Sequence, residues 1–325
     1  MIKYSDTIQR SNVFKRIHKD IKSGMLGHCY LIVSTDQVVV DKLFDLIACD
    51  VYCNNGLCLH CEECEKVQSG NNVDIKHTIP IVGKNILVKD VEEIIEDVYK
   101  VAYDGREKLY FIHNAERMNA DSQNKLLKIL EEPPKNVHFF LATSIEGAIL
   151  NTVKSRSRKL YVDSFGVNDI IDALSTVYIQ HGRDKISLVA ACSGGSIERA
   201  EQLLDDQNFF EQYGEVVEMY SRVNKSSDVV RYSKSFLFAK EQIRETLNIS
   251  DLIFRRIMLN SGEDKGIFGE EIHNLAKGFT PIAVANIVDQ INDARKRIEA
   301  NCAPNTIGEN LLYTILEVKF KCRKL

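Results

Sequence analysis

Residues 109–142 read LYFIHNAERMNADSQNKLLKILEEPPKNVHFFLA, and their order decides the fold class. Leu109-Tyr110-Phe111-Ile112 is an unbroken apolar run, the pattern of a strand buried on both faces. Asn119 suits the N-cap of a helix over Ala120–Glu131, because its side-chain oxygen can accept from a free N–H of the first turn. Leu126, Leu127 and Leu130 share one face of that helix. Pro133-Pro134 stops it, since proline has no N–H to donate and crowds the preceding turn. Val137 to Ala142 is a second strand. Strand, helix and strand at this spacing make a parallel pair joined by a crossover helix.

The same alternation extends outward. Tyr30-Leu31-Ile32-Val33 is a short apolar run, Leu43, Phe44, Leu46 and Ile47 suggest a following helix, and Leu160-Tyr161-Val162 is a shorter strand. Residues 28–162 therefore imply a doubly wound, mainly parallel sheet. Ile8, Val13, Ile17 and Ile21 form a loose helical stripe that ends at Gly24. Pro80 to Val88, around Gly83, reads as a short hairpin or an extended arm. Asp90 is expected to begin a helix carrying Val91, Ile94, Ile95, Val98 and Val101, with Asp90 and Glu93 spaced like a capping box. A turn is expected at Asp104-Gly105. Beyond Phe165 the strand signals fade. Residues 167–206 look helical with an interruption at Gly194-Gly195, and 209–325 look helical throughout. Ser250 is placed as the cap of a helix bearing Ile253, Ile257 and Met258, and Thr280-Pro281 is a helix start. The expected division is an α/β domain over 1–164, a small helical domain over 165–208 and an all-α domain over 209–325.

Composition limits the function classes. A chain of 325 residues that is 44% hydrophobic and 27% charged can bury a core without staples. A net charge of −4 argues against a surface built wholly for nucleic acid. No stretch approaches the ~20 apolar residues of a membrane helix, and Met1-Ile2-Lys3-Tyr4-Ser5-Asp6 lacks the apolar segment of a signal peptide. A cytoplasmic protein is expected.

Four of the nine cysteines, Cys53, Cys58, Cys61 and Cys64, fall within twelve residues. In a reducing compartment such clustering points to metal. Four thiolates close a tetrahedral zinc shell with no open position, so the expected role is structural. An iron–sulfur cluster is the competing reading, because Cys58, Cys61 and Cys64 copy three ligands of a ferredoxin run whose fourth Cys-Pro is missing. Four unrelated buried cysteines are the bland one. His60 is read as a loop residue.

The segment after Tyr30–Val33 is where a phosphate-binding loop belongs. Such a loop needs glycines for close backbone approach, a lysine and a Ser/Thr. Here Ser34-Thr35-Asp36-Gln37-Val38-Val39-Val40-Asp41-Lys42 offers none of the glycines. Asp41 sets a negative charge against phosphate, and Lys42 stands one place late. Leu109–Ile112 is followed by His113-Asn114-Ala115-Glu116 without the acid that holds Mg²⁺. No bound ATP is expected. An α/β domain never related to nucleotides is the other reading.

Ala115-Glu116-Arg117-Met118, with Asn124-Lys125-Leu126-Leu127-Lys128-Ile129-Leu130-Glu131-Glu132-Pro133-Pro134 after it, resembles the bacterial clamp-loader family, the AAA+ subunits of the DNA polymerase III holoenzyme. The family pattern runs roughly AE-x-M…N-x-LLK-x-LEEPP. Gly27-His28-Cys29-Tyr30-Leu31 looks like its first core strand, Phe139-Phe140-Leu141-Ala142-Thr143 like its first sensor strand, and Ser155-Arg156-Ser157 like its Ser-Arg-Cys motif with Ser in place of Cys. Arg297-x3-Asn301 and Leu311-Leu312 resemble the collar. The resemblance implies a RecA-like parallel sheet domain with a zinc module inserted at 49–70, a helical lid and a helical collar for oligomerisation. The degenerate phosphate loop, and Glu198 where an active subunit would place the arginine now at 199, point to the family's delta-prime branch and away from gamma/tau.

From the resemblance follows a pentameric ring with gamma/tau and delta subunits, acting through the complex on the sliding clamp and primer-template DNA, with no membrane contact. Arg156, next to Ser155, would be an arginine finger supplied in trans to the neighbouring ATPase subunit. Without the resemblance, Arg156 is a surface arginine among Lys154, Arg158 and Lys159. On the resemblance, the chain is expected to be a subunit of the DNA polymerase III holoenzyme with no ATPase or polymerase activity of its own. An ATP-hydrolysing gamma/tau-type subunit and a metal-binding nucleic-acid regulator remain the alternatives.

Overall fold

A computed structural model describes residues 2–81, 83–103, 106–233, 240–259 and 268–322. The described chain divides into two compact units, one of residues 1–179 with 195–199, the other of 180–194 with 200–325. The turn expected at Asp104-Gly105 lies outside the described residues.

The first unit is built on five parallel strands, β1 (Cys29–Val33), β2 (Ile75–Thr78), β3 (Lys108–Ile112), β4 (Val137–Thr143) and β5 (Arg158–Tyr161), in the order β2-β3-β4-β1-β5. Its helices are α1 (Ser5–Gln9), α2 (Asn12–Lys22), α3 (Gln37–Tyr52), α4 (Glu62–Gln68), α5 (Val88–Val98), α6 (Ala120–Glu131), α7 (Asn151–Ser155) and α8 (Val167–Val177). Alternation along the strands covers both sheet faces. Cys29, Leu31, Tyr110, Ile112, Phe139 and Leu141 pack with α5 and α6. On the other face Phe44 of α3 meets Phe111 with ring centroids 4.6 Å apart, and Phe111 meets Phe140 at 5.1 Å. β1 and β4 are neighbours although distant in sequence. Their carboxyl ends, with the start of α3, form the rim where α/β sheets bind ligands.

The second unit is all helical: α9 (Arg183–Cys192), the greater part of α10 (Ile197–Asp205), α11 (Phe209–Arg222), α12 (Ser226–Ser233), α13 (Lys240–Leu259), α14 (Gly269–Ala276), α15 (Pro281–Glu299) and α16 (Pro304–Cys322). Its core is α13, α15 and α16, with Ile253, Phe254, Ile287, Ile291, Leu312 and Ile315 buried. Lys319 is buried too, and its ammonium donates to the carbonyls of Tyr220 and Val223 at the end of α11. A cation there meets the carbonyls that a helix end leaves unpaired. The architecture is the α/β plus all-α, AAA+-like fold that the resemblance implied. Among the described residues, no helix is long and apolar enough to cross a membrane.

Several local expectations hold. Asn119 accepts from the Ser122 N–H at 2.8 Å, and Thr280 Oγ1 from the Ala283 N–H at 3.3 Å. Others need correction. The helix expected from Asp90 begins at Val88, and Asp90 is its third residue, accepting from the Leu87 N–H at 2.8 Å. Ser250 caps nothing: it lies buried inside α13 and donates to the Thr246 carbonyl at 2.6 Å, which satisfies its hydroxyl within the helix. The 8–22 stripe is two helices, because Ser11 caps α2 by accepting from Phe14 N–H at 3.2 Å. Around Pro80–Val88 the described residues form an arm whose one bridge is Ile86 to Met118. On α6 the buried apolar residues are Leu126, Ile129 and Leu130, with Leu127 half-buried.

Candidate functional site: a cysteine cluster and a rim without glycines

α3 ends at Tyr52, and Cys53 is its C-cap; Cys61 is the N-cap of α4, and Cys64 lies within α4. Between them Gly56, Leu57 and Leu59 adopt left-handed backbone, with φ of 71°, 64° and 63°. Leucine seldom accepts that conformation; the Gln68 side chain donates to the Leu59 carbonyl at 2.9 Å, and the Cys58 N–H to Cys53 Sγ at 3.4 Å. The four sulfurs of Cys53, Cys58, Cys61 and Cys64 lie within 4.8 Å of one another. Cys53 Sγ is 3.6 Å from Cys58 Sγ and 3.8 Å from Cys61 Sγ. Corners of a tetrahedron with ~2.3 Å metal–sulfur bonds lie about 3.8 Å apart, so the donor set fits a four-thiolate ion. Burial alone would raise the Cys53 thiol. The N–H groups of Cys58 and Asn55 outweigh it and bring the thiol down to about 6. Burial pushes the Cys64 thiol up. His60 is exposed and its Nδ1 sits 2.5 Å from the Cys58 carbonyl, outside the sulfur cluster. Cys49 packs against Cys64 as a buried core thiol.

At the rim, Ser34 Oγ accepts from the Asp36 N–H at 3.1 Å, and Thr35 is exposed. Asp36 is the N-cap of α3 and accepts from Val39 N–H at 3.0 Å. Asp41 lies 2.9 Å from His113 Nδ1 and accepts from Gln37 Nε2 at 2.9 Å. Burial raises the Asp41 carboxyl, and the contacts from His113 and Gln37 more than reverse that, leaving it below the ordinary carboxylate range. Lys42 is turned to Asp45 at 3.1 Å. His113 is buried between Asp41 and His77, whose Nδ1 is 3.1 Å away, which makes it a satisfied strand-end histidine. Thus Ser34, Thr35, Asp41 and Lys42 share one rim at the start of α3.

Arg156 is the C-cap of α7. Its Nη2 is 2.8 Å from Glu131 Oε1, and its Nη1 donates to the Thr152 carbonyl at 3.1 Å. The Ser155 hydroxyl donates to the same carbonyl at 2.9 Å. Two of its basic neighbours are paired: Arg158 with Asp20 at 2.9 Å, Lys159 with Glu146 at 3.3 Å. The partnership of Glu131 with Arg156 had no signal in the sequence. Neither had the contact of Glu198 with the Gln37 N–H, at 2.8 Å. Both join residues far apart in the chain.

A family model described as "DNA polymerase III, delta subunit" matches residues 9–165. The DNA polymerase III subunit delta' of Bacillus subtilis (strain 168) is 25% identical over 323 residues, covering 94% of this chain and 95% of that protein. The delta' subunit of Haemophilus influenzae is 31% identical over 147 residues, 44% of this chain and 45% of its own length. The tau subunit of Escherichia coli (strain K12) is 28% identical over 211 residues, 62% of this chain and 32% of that protein. The matched region holds the sheet, the cysteine cluster and the LLK-x-LEEPP helix, and with the Bacillus protein it extends through the helical unit as well. The chain is thus similar to DNA polymerase III clamp-loader subunits, over nearly its whole length to a delta-prime subunit.

Proposed function

We propose that this chain is the non-catalytic, delta-prime-type subunit of a clamp loader. It completes a pentameric ring with gamma/tau and delta subunits, and that ring places the sliding clamp on primed DNA. The likeness to the Bacillus delta' subunit over 94% of the chain carries this reading. A cytoplasmic location and a lid and collar over 165–208 and 209–325 belong to the same proposal.

Arg156 is the arginine finger of this proposal. An always-charged guanidinium stabilises the charge that develops on a transferring phosphoryl group. Its place at a helix end, a third exposed, supports that role. Zinc is the proposed metal, held by Cys53, Cys58, Cys61 and Cys64 as a structural clip. The gamma/tau alternative is disfavoured by a rim with no glycine between Gly27 and Gly56.

Four measurements test the reading. Titration of the isolated chain with a fluorescent ATP analogue is expected to show no binding; micromolar affinity defeats the non-catalytic assignment. Arg156→Ala, in the complex reconstituted with its ATPase subunits, is expected to leave assembly intact and slow turnover at the neighbouring site. Fingers in GTPases contribute about 10³–10⁵ in rate. Unchanged ATPase would remove the finger. Elemental analysis showing one zinc per chain supports the clip, whereas visible absorbance from an iron–sulfur chromophore overturns it. Strong, salt-sensitive DNA binding by the chain alone would favour the nucleic-acid regulator instead.

A further inference from the structure

We infer that Asp36 and Glu198 replace a polyphosphate at the start of α3: the chain supplies its own anions there and so fastens residues 195–199 to that helix. The inference deepens the nucleotide-free reading above and rests on it.

A helix of this length leaves its first N–H groups without intrahelical partners and concentrates partial positive charge at that end. In phosphate-binding loops those N–H groups meet phosphate oxygens. Here they meet carboxylates. Gln37 N–H donates to Glu198 Oε2 at 2.8 Å and Val39 N–H to Asp36 Oδ1 at 3.0 Å. The exchange is reciprocal. Asp36 Oδ2 accepts from the N–H groups of Ile197 and Glu198, at 2.7 and 3.2 Å, and from the Ser196 hydroxyl at 2.9 Å. One carboxylate of each helix start thus serves the other helix start. Asp36 is only 6% exposed, and its four donors satisfy a charge that would otherwise be costly to bury.

The backbone is shaped for the clasp. Gly195 has φ +89°, and a Cβ there would stand 2.6 Å from Ser164 Cβ. Its carbonyl accepts from Phe165 N–H at 2.9 Å, which brings the chain back onto the sheet unit immediately before Ser196. All these residues lie in the first compact unit. A triphosphate entering this rim would have to displace Glu198 and would face Asp36 and Asp41 without a glycine loop to wrap it. The ATP that an AAA+-like fold implies therefore does not fit these residues.

The test is amide hydrogen exchange on the full chain, wild type against Glu198→Ala, each with and without millimolar pyrophosphate or formate. Glu198→Gln, which keeps an acceptor oxygen, controls for folding through its circular dichroism and melting temperature. In the wild type neither anion is expected to alter exchange at residues 37 and 195–199. Loss of a hydrogen bond to a charged acceptor should speed exchange of the Gln37 amide about 10- to 100-fold in Glu198→Ala, and formate or pyrophosphate should restore protection where chloride does not. Exchange unchanged in Glu198→Ala, or lost there without recovery in either anion, overturns the clasp while leaving the clamp-loader assignment standing. Protection of the wild-type rim by pyrophosphate overturns both the clasp and the nucleotide-free reading.

Discussion

At the scale of single residues, the charged groups of this chain divide by what faces them. Lys108 is buried, and its ammonium donates to the carbonyl and carboxylate of Asp97, at 2.7 and 3.1 Å. Tyr110 donates to the same carboxylate at 2.9 Å. Burial raises the Asp97 carboxyl, and these donors together with the Lys108 charge outweigh it, so it lies below the usual range. A carboxyl lowered on folding stabilises the fold above its unfolded pKa, about 4, and loses that contribution as pH falls through the folded value. Asp97→Asn is therefore expected to lower the melting temperature most at neutral pH, with the gap to wild type closing under acid; a gap independent of pH would contradict this. The pair of Arg156 and Glu131 is of another kind. With both groups partly exposed, it stabilises the fold by no more than about 1 kcal/mol, so it restrains the guanidinium without locking it.

At the scale of elements, α6 shows how local chemistry and packing agree. Asn119 opens it, Pro133 follows its end, and Leu126, Ile129 and Leu130 hold it to the sheet. Gln123, almost fully buried, donates to the Met118 and Ala148 carbonyls and accepts from the Leu150 N–H, which ties α6 to the segment leading into α7. Asn119→Ala removes the cap and is expected to destabilise the protein by about 1 kcal/mol, measurable as a lower urea midpoint with unchanged slope. α15 ends by comparable means. Asn301 takes φ 59°, and the Cys302 N–H donates to the Arg297 carbonyl at 3.0 Å. The Arg297-x3-Asn301 spacing is thus a helix stop in which asparagine accepts the left-handed conformation.

At the scale of the whole molecule, two compact units carry different duties. The sheet unit holds the cysteine cluster, the rim of α3 and Arg156, whereas the helical unit contains none of these. Structural zinc contributes binding energy directly to folding, about 10–16 kcal/mol in isolated fingers. With zinc held there as proposed, a strong chelator is expected to lower the melting temperature and to raise amide exchange over residues 53–68, leaving the core of α13, α15 and α16 protected. Equal loss of protection in both units, or no change at all, would count against a local structural clip.

Much of this was legible in the residues themselves, because it depends on neighbours in the chain. Apolar runs defined β1, β3 and β4; Asn119 and Thr280 marked helix starts; and four cysteines within twelve residues marked the cluster whose sulfurs the fold brings together. β2 was not legible: Ile75-Lys76-His77-Thr78 is short and half polar, and it is a strand because β3 offers it a hydrogen-bonding edge. Ser250 looks like a cap residue, yet it lies inside α13 and donates to the Thr246 carbonyl of its own helix, whereas buried Lys319 takes its carbonyl partners from the end of α11. Asp36 with Glu198, and Arg156 with Glu131, join positions far apart in sequence. A side chain's charge and a helix's phase are set locally, whereas the partner that charge meets is set by which elements the closed sheet brings side by side.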